Sequence, residues 1–156
     1  KSISDGAYIS VHLEVYRPES YIEDLKEIKP DIVFVQTNHL KDRVGILELF
    51  KDNDIKCGVS LSDKDLLLNN EEIIKMSDQV MVLTAYLSDP EQKFQMKMAD
   101  LAQEIAEKYH KKVWIDGGIS FELYEELKQR CPDIYAAVMG RGVYADKTAF
   151  KEKYGE

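Results

Sequence analysis

The chain has 156 residues, 44% of them hydrophobic and 32% charged, a balance ordinary for one soluble globular domain with a sizeable core. Its net charge of -8 argues against broad nucleic-acid binding, although a local site can still hold an anionic metabolite. No apolar run approaches the ~20 residues of a membrane helix, and no signal peptide precedes the first strand, so no membrane partner is expected.

The chain opens with an apolar, β-branched run, YISVHLEV at 8–15, read as a strand. Pro18 fits a helix start, and Ile22, Leu25 and Ile28 share one helical face after it. DIVFVQ (31–36) is the second strand, followed by a helix carrying Val44, Leu47 and Phe50 on one side. KCGVSL (56–61) is the third strand. Asp78 sits just before the fourth, QVMVLTAY (79–86). Pro90 suits the start of the clearest helix, 91–110, where Phe94, Met98, Leu101 and Ile105 recur three or four apart. KVWID (112–116) is the fifth strand, and Phe121, Tyr124 and Leu127 mark the helix after it. Asp133 precedes the sixth strand, YAAVMG (135–140). The strands are short and nearly continuous in apolar character, as parallel strands buried on both faces are. Cys57 and Cys131 form no C-x-x-C pair, and buried, reduced thiols in a cytoplasmic protein are expected.

Strict alternation of strand and helix predicts an α/β fold with a parallel sheet, one domain over 1–156 with no linker or low-complexity tract. An open dinucleotide-binding sheet would begin with a G-x-G-x-x-G turn, which is absent. A β/α barrel needs eight strands, and only six are read here. The chemistry concentrates where strands end. Asp116 closes the fifth strand and is followed at once by Gly117 and Gly118, and the sixth ends in Gly140, Arg141 and Gly142. Glycines at adjacent strand ends let backbone amides approach a phosphate. Each glycine taken alone is equally what a tight turn needs. His12, within an apolar strand, is either a hydrogen-bonded core residue or a ligand.

In order and spacing these segments resemble the ribulose-phosphate 3-epimerase family, a ribulose-phosphate-binding barrel. ISVHLEVYRPESYI (9–22) is similar to that family's third strand with its H-L-M…P…Y-I pattern, and KPDIVFVQTN (29–38) to its fourth. KCGVSL resembles K-x-G-L-x-L. SDQVMVLTAYLSDPEQKF (77–94) lies without gaps on D-x-V-L-x-M-T-V-N-P-G-F-G-G-Q-K-F. VWIDGGIS (113–120) and VMGRGVY (138–144) resemble the seventh and eighth strands. The resemblance implies a (β/α)8 TIM barrel, here incomplete with about six β-α units. The match begins at the third strand, so two further β-α units are expected ahead of it. Six strands alone would leave long edges and an exposed apolar face, and would not be stable by themselves.

The resemblance also implies a reaction: epimerisation at a carbon next to a ketone of a sugar phosphate, in carbohydrate metabolism of the pentose phosphate kind. That requires one proton removed from one face and another delivered to the opposite face. The family holds a divalent metal with two His and two Asp, a Lewis acid for the ene-diolate. By the match His12 and Asp116 are metal ligands, and Asp116 is also a catalytic acid/base. Gly117, Gly118, Gly140 and Arg141 bind phosphate, and Gln36 contacts substrate in place of the family's histidine. Zn, Fe or Mn would suit the site. The other two ligands come from an H-x-D pattern that does not occur in these residues.

Departures bear on activity. Asn38 replaces a glutamate, and Ser62-Asp63-Lys64-Asp65 stands where the family has N-P-x-T. The glycine-rich lid becomes YLSDPE (86–91), whose carboxylates suit an anion poorly. Arg141 could grip a phosphate or point to solvent. Three functions follow: a divergent metal-dependent sugar-phosphate epimerase or isomerase; a non-catalytic sugar-phosphate-binding barrel that has lost metal and lid; or another lyase or decarboxylase of the same barrel type. The expected partner is a small sugar phosphate, with no nucleic acid, in a cytoplasmic homo-oligomer.

Overall fold

The computed structural model describes residues 6–86, 88–89, 91–145, 148 and 151–152; the side chains at 67, 141, 142 and 145 lie outside that description. Six strands alternate with helices: β1 (Ser10–Leu13), α1 (Ile22–Ile28), β2 (Ile32–Gln36), α2 (Arg43–Asp52), β3 (Cys57–Leu61), α3 (Glu71–Met76), β4 (Val80–Leu83), α4 (Met96–Tyr109), β5 (Val113–Asp116), α5 (Phe121–Arg130), β6 (Ile134–Val138) and α6 (Gly140–Ala145). Contacts divide the chain into two compact units, 1–81 and 82–156, with β4 contributing residues to both.

In the first unit β1, β2 and β3 pair in parallel in chain order, His12 beside Phe34 and Gln36 beside Ser60. Beyond β3, the Val59 amide donates to the Gln79 carbonyl just ahead of β4. β2 and β3 are buried along their whole length, which explains their unbroken apolar sequence. Phe50 and Leu47 of α2 are buried with them. Register and pleat place His12, Phe34, Gln36, Gly58 and Ser60 on one face of this sheet. α1 lies on the other, where Val11 and Leu13 line an apolar groove of about 390 Å³ with Tyr21, Leu25 and Ile28.

Local sequence sets the helix ends. Pro18 opens a short 3-10 turn, Pro18–Tyr21, which leads directly into α1. α1 ends where Lys29 turns left-handed (φ 53°) and its amide bonds the Leu25 carbonyl. Asp42 caps α2 by accepting from the Gly45 amide, and Ser120 caps α5 by accepting from Leu123. Ile28, expected on the buried face of α1, is 53% exposed and lies along the groove instead. α3 fills the place that strict alternation predicts between β3 and β4, although no residues could be assigned to it, and the 3-10 turn Asp63–Leu67 was not anticipated; both are too short to show a helical period.

In the second unit β5 pairs with β6 in parallel, with a bulge between Val113 and Trp114. Met98, Ala99, Ala102 and Ile105 of α4 are buried, as are Val113 and Ile115 of β5 and Leu127 of α5. α4 starts at Met96 rather than near residue 91, so Phe94 belongs to the segment before it. Pro90, the expected helix start, lies outside the described residues. No helix among the described residues is long and apolar enough to cross a membrane. Both cysteines are free and buried, and burial pushes the Cys57 thiol far above its usual range, with Asp78 reinforcing the shift.

Candidate active site

The sequence-predicted residues fall at strand ends of the two units. In the first, His12 is half-buried in β1 and its Nε2 is buried without a hydrogen-bond partner. Phe34, its neighbour in register, packs against Gly58 so closely that a Cβ there would lie 2.6 Å from the ring. Gln36, the expected substrate contact, is 1% exposed at the end of β2. Its Nε2 donates to Asn38 Oδ1 at 3.0 Å, while its Oε1 is buried with no partner. His39 Nδ1 lies 3.3 Å from the same Asn38 oxygen. The other His39 ring nitrogen is 2.7 Å from the Val15 carbonyl, to which it donates. His39 therefore links the loops after β1 and β2, next in the chain to the Asn38 that accepts from the Gln36 amide.

Asp65 is the residue the sequence reading left without a role. Its carboxylate is 1% exposed and accepts from the Ser62 amide and Ser62 Oγ, both at 2.8 Å. Thr37 Oγ1 donates to Asp65 Oδ1 at 3.3 Å, joining the ends of β2 and β3. The spacing Ser62-x-x-Asp65 is a capping-box pattern, and that signal was present in the sequence. Arg43 opens α2 and donates to the Asn69 carbonyl and to Asn70 Oδ1. Partial burial lowers its pKa, and the nearby Asp65 charge opposes that shift.

In the second unit Asp116 is the half-buried last residue of β5. Its carbonyl accepts from the Thr84 amide, and the Gly117 carbonyl accepts from Thr84 Oγ1, each at 2.7 Å. Threonine after β4 thus pins the backbone on both sides of the Asp116–Gly117 peptide. Gly117 and Gly118 have φ of 114° and 71°, values that strongly favour glycine. A Cβ on Gly117 would sit 2.9 Å from the Ala85 Cβ; one on Gly118 would collide with the Gln92 carbonyl and lie 2.9 Å from the Phe94 nitrogen.

The segment between β4 and α4 is held in place by its own groups. The Gln95 amide donates to the Thr84 carbonyl at 2.7 Å. Asp89 accepts from the Glu91 and Lys93 amides at 2.9 and 3.0 Å. Those backbone bonds, Lys93 first and Glu91 next, hold its carboxyl below the usual aspartate range. Lys97 Nζ donates to Tyr86 Oη at 3.2 Å and lies over that ring. Gly140, at the start of α6, has nothing among the described residues within 4 Å of a Cβ position. The side chain of Arg141 lies outside the described residues. Among the described residues no group of three or more His, Cys, Asp or Glu is assembled to hold a metal.

Chemically, the two units differ. The first has an imidazole nitrogen, an amide oxygen and hydroxyls at strand ends. The second has a carboxylate on a rigid, glycine-rich turn.

Known proteins bear on this arrangement. The model of the ribulose-phosphate 3 epimerase family matches residues 2–144. A ribulose-phosphate 3-epimerase from Candida glabrata is 25% identical over 120 residues, 74% of this chain and 48% of that protein. The chain thus spans about half the length of the curated relative it matches. Among solved structures, the tryptophan synthase A-subunit from the hyperthermophile Pyrococcus furiosus has a TM-score of 0.62 at 16% identity, over 94% of this chain and 59% of that one. A mutant of the same subunit gives 0.61 at 17% identity, over 94% and 60%. That likeness concerns the fold: α/β, six β-α units of an incomplete (β/α)8 barrel.

Proposed function

Because the chain belongs to the ribulose-phosphate 3 epimerase family, we propose that it serves a sugar-phosphate epimerase or isomerase that works by moving a proton next to a carbonyl. The observation that carries this reading is Asp116. It ends a strand, as barrel catalytic groups do, and Thr84 clamps the peptide that follows it. A carboxylate on so fixed a backbone can face one substrate carbon without reorganising. As base it takes the proton from one face of the carbon beside the carbonyl; a second acid/base, outside the roles assigned to these residues, delivers one to the opposite face.

The unpartnered Nε2 of His12 fits a metal ligand, since a ring nitrogen buried without a bond is one left available. His12 and Asp116 would hold a divalent ion such as Zn, Fe or Mn together with further ligands. When bound, that ion would polarise the substrate carbonyl. For the phosphate, Gly140 offers unfilled space beside its backbone, with Arg141 next to it. Gly117 and Gly118 would contribute amides from a turn whose Cβ positions are already occupied by protein. The substrate pool this reading implies is the pentose phosphates of the cytoplasm.

A non-catalytic sugar-phosphate binder is the second reading, and one observation favours it. Asp89 occupies the Glu91 and Lys93 amides in the segment where the family carries its lid. Asp116→Asn separates the two. On the enzymatic reading, conversion of ribulose phosphate to its epimer falls on the order of a thousandfold with circular dichroism unchanged. An undiminished rate overturns the role of Asp116. Binding of ribulose phosphate with no turnover in the parent protein establishes the binder instead.

A further inference from the structure

One face of the first unit carries a row of buried polar atoms that no group among the described residues satisfies. His12 on β1, Gln36 on β2 and Ser60 on β3 all lie on the face away from α1. His12 Nε2, Gln36 Oε1 and Ser60 Oγ are each buried with no hydrogen-bond partner. Gln36 and Ser60 are direct partners in the parallel register, so their side chains stand side by side. Folded proteins pair nearly all such atoms, because one left unpaired has given up its bonds to water for nothing in return. His12 Nε2 is accounted for by the metal proposed above; the adjacent pair on β2 and β3 indicates a guest of its own. Phe34, fully buried and pressed onto Gly58, forms an apolar floor beside them.

We propose that Ser60 and Gln36 form a hydroxyl-binding subsite, and that its guest is the hydroxyl-bearing carbon chain of the substrate rather than its phosphate. The chemistry of the row selects this guest. Gln36 donates through Nε2 to Asn38, which leaves its carbonyl oxygen as an acceptor in need of a donor. An acceptor repels phosphate oxygens and welcomes O–H. Ser60 Oγ both donates and accepts, which matches the second half of a hydroxyl pair. Neither Gln36 nor Ser60 carries a charge to neutralise an anion. Ser60 and Gln36 are 0% and 1% exposed, so the guest sits out of bulk water and enters as the loops after β2 and β3 give way. Discrimination is strong in such a place, since a sugar lacking the hydroxyl leaves buried groups unpaired. Ser60 is thus a specificity-determining residue of the site proposed above, and the inference rests on that reading of a sugar-phosphate substrate.

The test is calorimetric, on the intact protein, with ribulose phosphate and inorganic phosphate as separate probes. Ser60→Ala removes one oxygen and no bond seen in the protein, so the variant should fold with unchanged or slightly raised stability. It should bind ribulose phosphate about tenfold more weakly and inorganic phosphate as the parent does, and Gln36→Met should behave the same way. Ser60→Ala with parental affinity for both probes overturns the proposal, and marks the guest as water alone. Equal weakening of both probes also overturns it, as does a parent protein that takes up no ribulose phosphate. Binding is read without turnover. A protein that discriminates by hydroxyl but does not epimerise therefore keeps the subsite and loses the catalytic reading.

Discussion

At the end of β5 the backbone is crowded, and at the end of β6 it is open. Gly117 and Gly118 hold positive φ and face Ala85, Gln92 and Phe94 where their Cβ atoms would be. Gly140 meets nothing among the described residues within 4 Å of a Cβ position. The first pair is required by the fold, because the chain after β4 crosses directly over it. Gly140 is merely allowed, and there the missing side chain leaves room, among the described residues, that a ligand could use. A glycine-rich strand end is therefore two different things: a place where protein backbone comes close, or a place where something else can.

Three measurements can break or sharpen that contrast. Gly118→Ala should cost the most, about 3 kcal/mol in denaturant unfolding. It adds a left-handed backbone penalty of ~1–2 kcal/mol to overpacking against main chain that cannot swing aside. A loss below about 1 kcal/mol would mean the crossing segment yields easily, and the crowding would not define the turn.

The second measurement addresses what holds that segment down. Asp89 has a folded pKa below its ordinary value of about 3.9, mainly through the Lys93 amide and then that of Glu91. A depressed carboxyl contributes order that is complete above the ordinary value and disappears as pH falls through the lower, folded one. Hydrogen exchange at the Lys93 amide, corrected for intrinsic rates, should show protection at neutral pH that fades below pH about 3.9. Asp89→Ala should remove that protection at all pH values. Protection independent of both would assign the order to the Gln95–Thr84 bond instead.

Gly140→Ala should do the least, from no change to a gain of about 0.5 kcal/mol, because alanine suits the helix that begins there. A loss above about 1 kcal/mol would erase the difference between the two strand ends.

Much of the fold could be read before any coordinates. β2 and β3 are buried along their full length, and a strand with two buried faces has little choice but to be apolar throughout. Their neighbours were legible from the same composition. Helix boundaries were less so. Phe94 keeps the helical period of α4 but lies before its first turn, beside Gly118, because periodicity does not tell helix from a segment that only leads into one. Ile28 kept the period too, yet it lines a groove rather than a core. In the candidate site, Asp116 and its glycines stood out because one strand end displays them together. Ser60 and His39 did not, since their meaning depends on the residue opposite in register or in another loop. Asp65 is the intermediate case: its partner Ser62 is three residues away, so the local pattern was there to be seen.

Within each unit, strands that are neighbours in space are neighbours in sequence, and this has a consequence for how the protein is made. The partner of β2 lies one helix ahead of it and one helix behind, so the loops closed in pairing are short and cost little entropy. During synthesis β1, β2 and β3 can settle their register before β5 has left the ribosome. Nascent chains arrested after β3 should already shield the amides of Phe34 and Val35, whereas the turn at Gly117 must wait for both β4 and β5 to emerge.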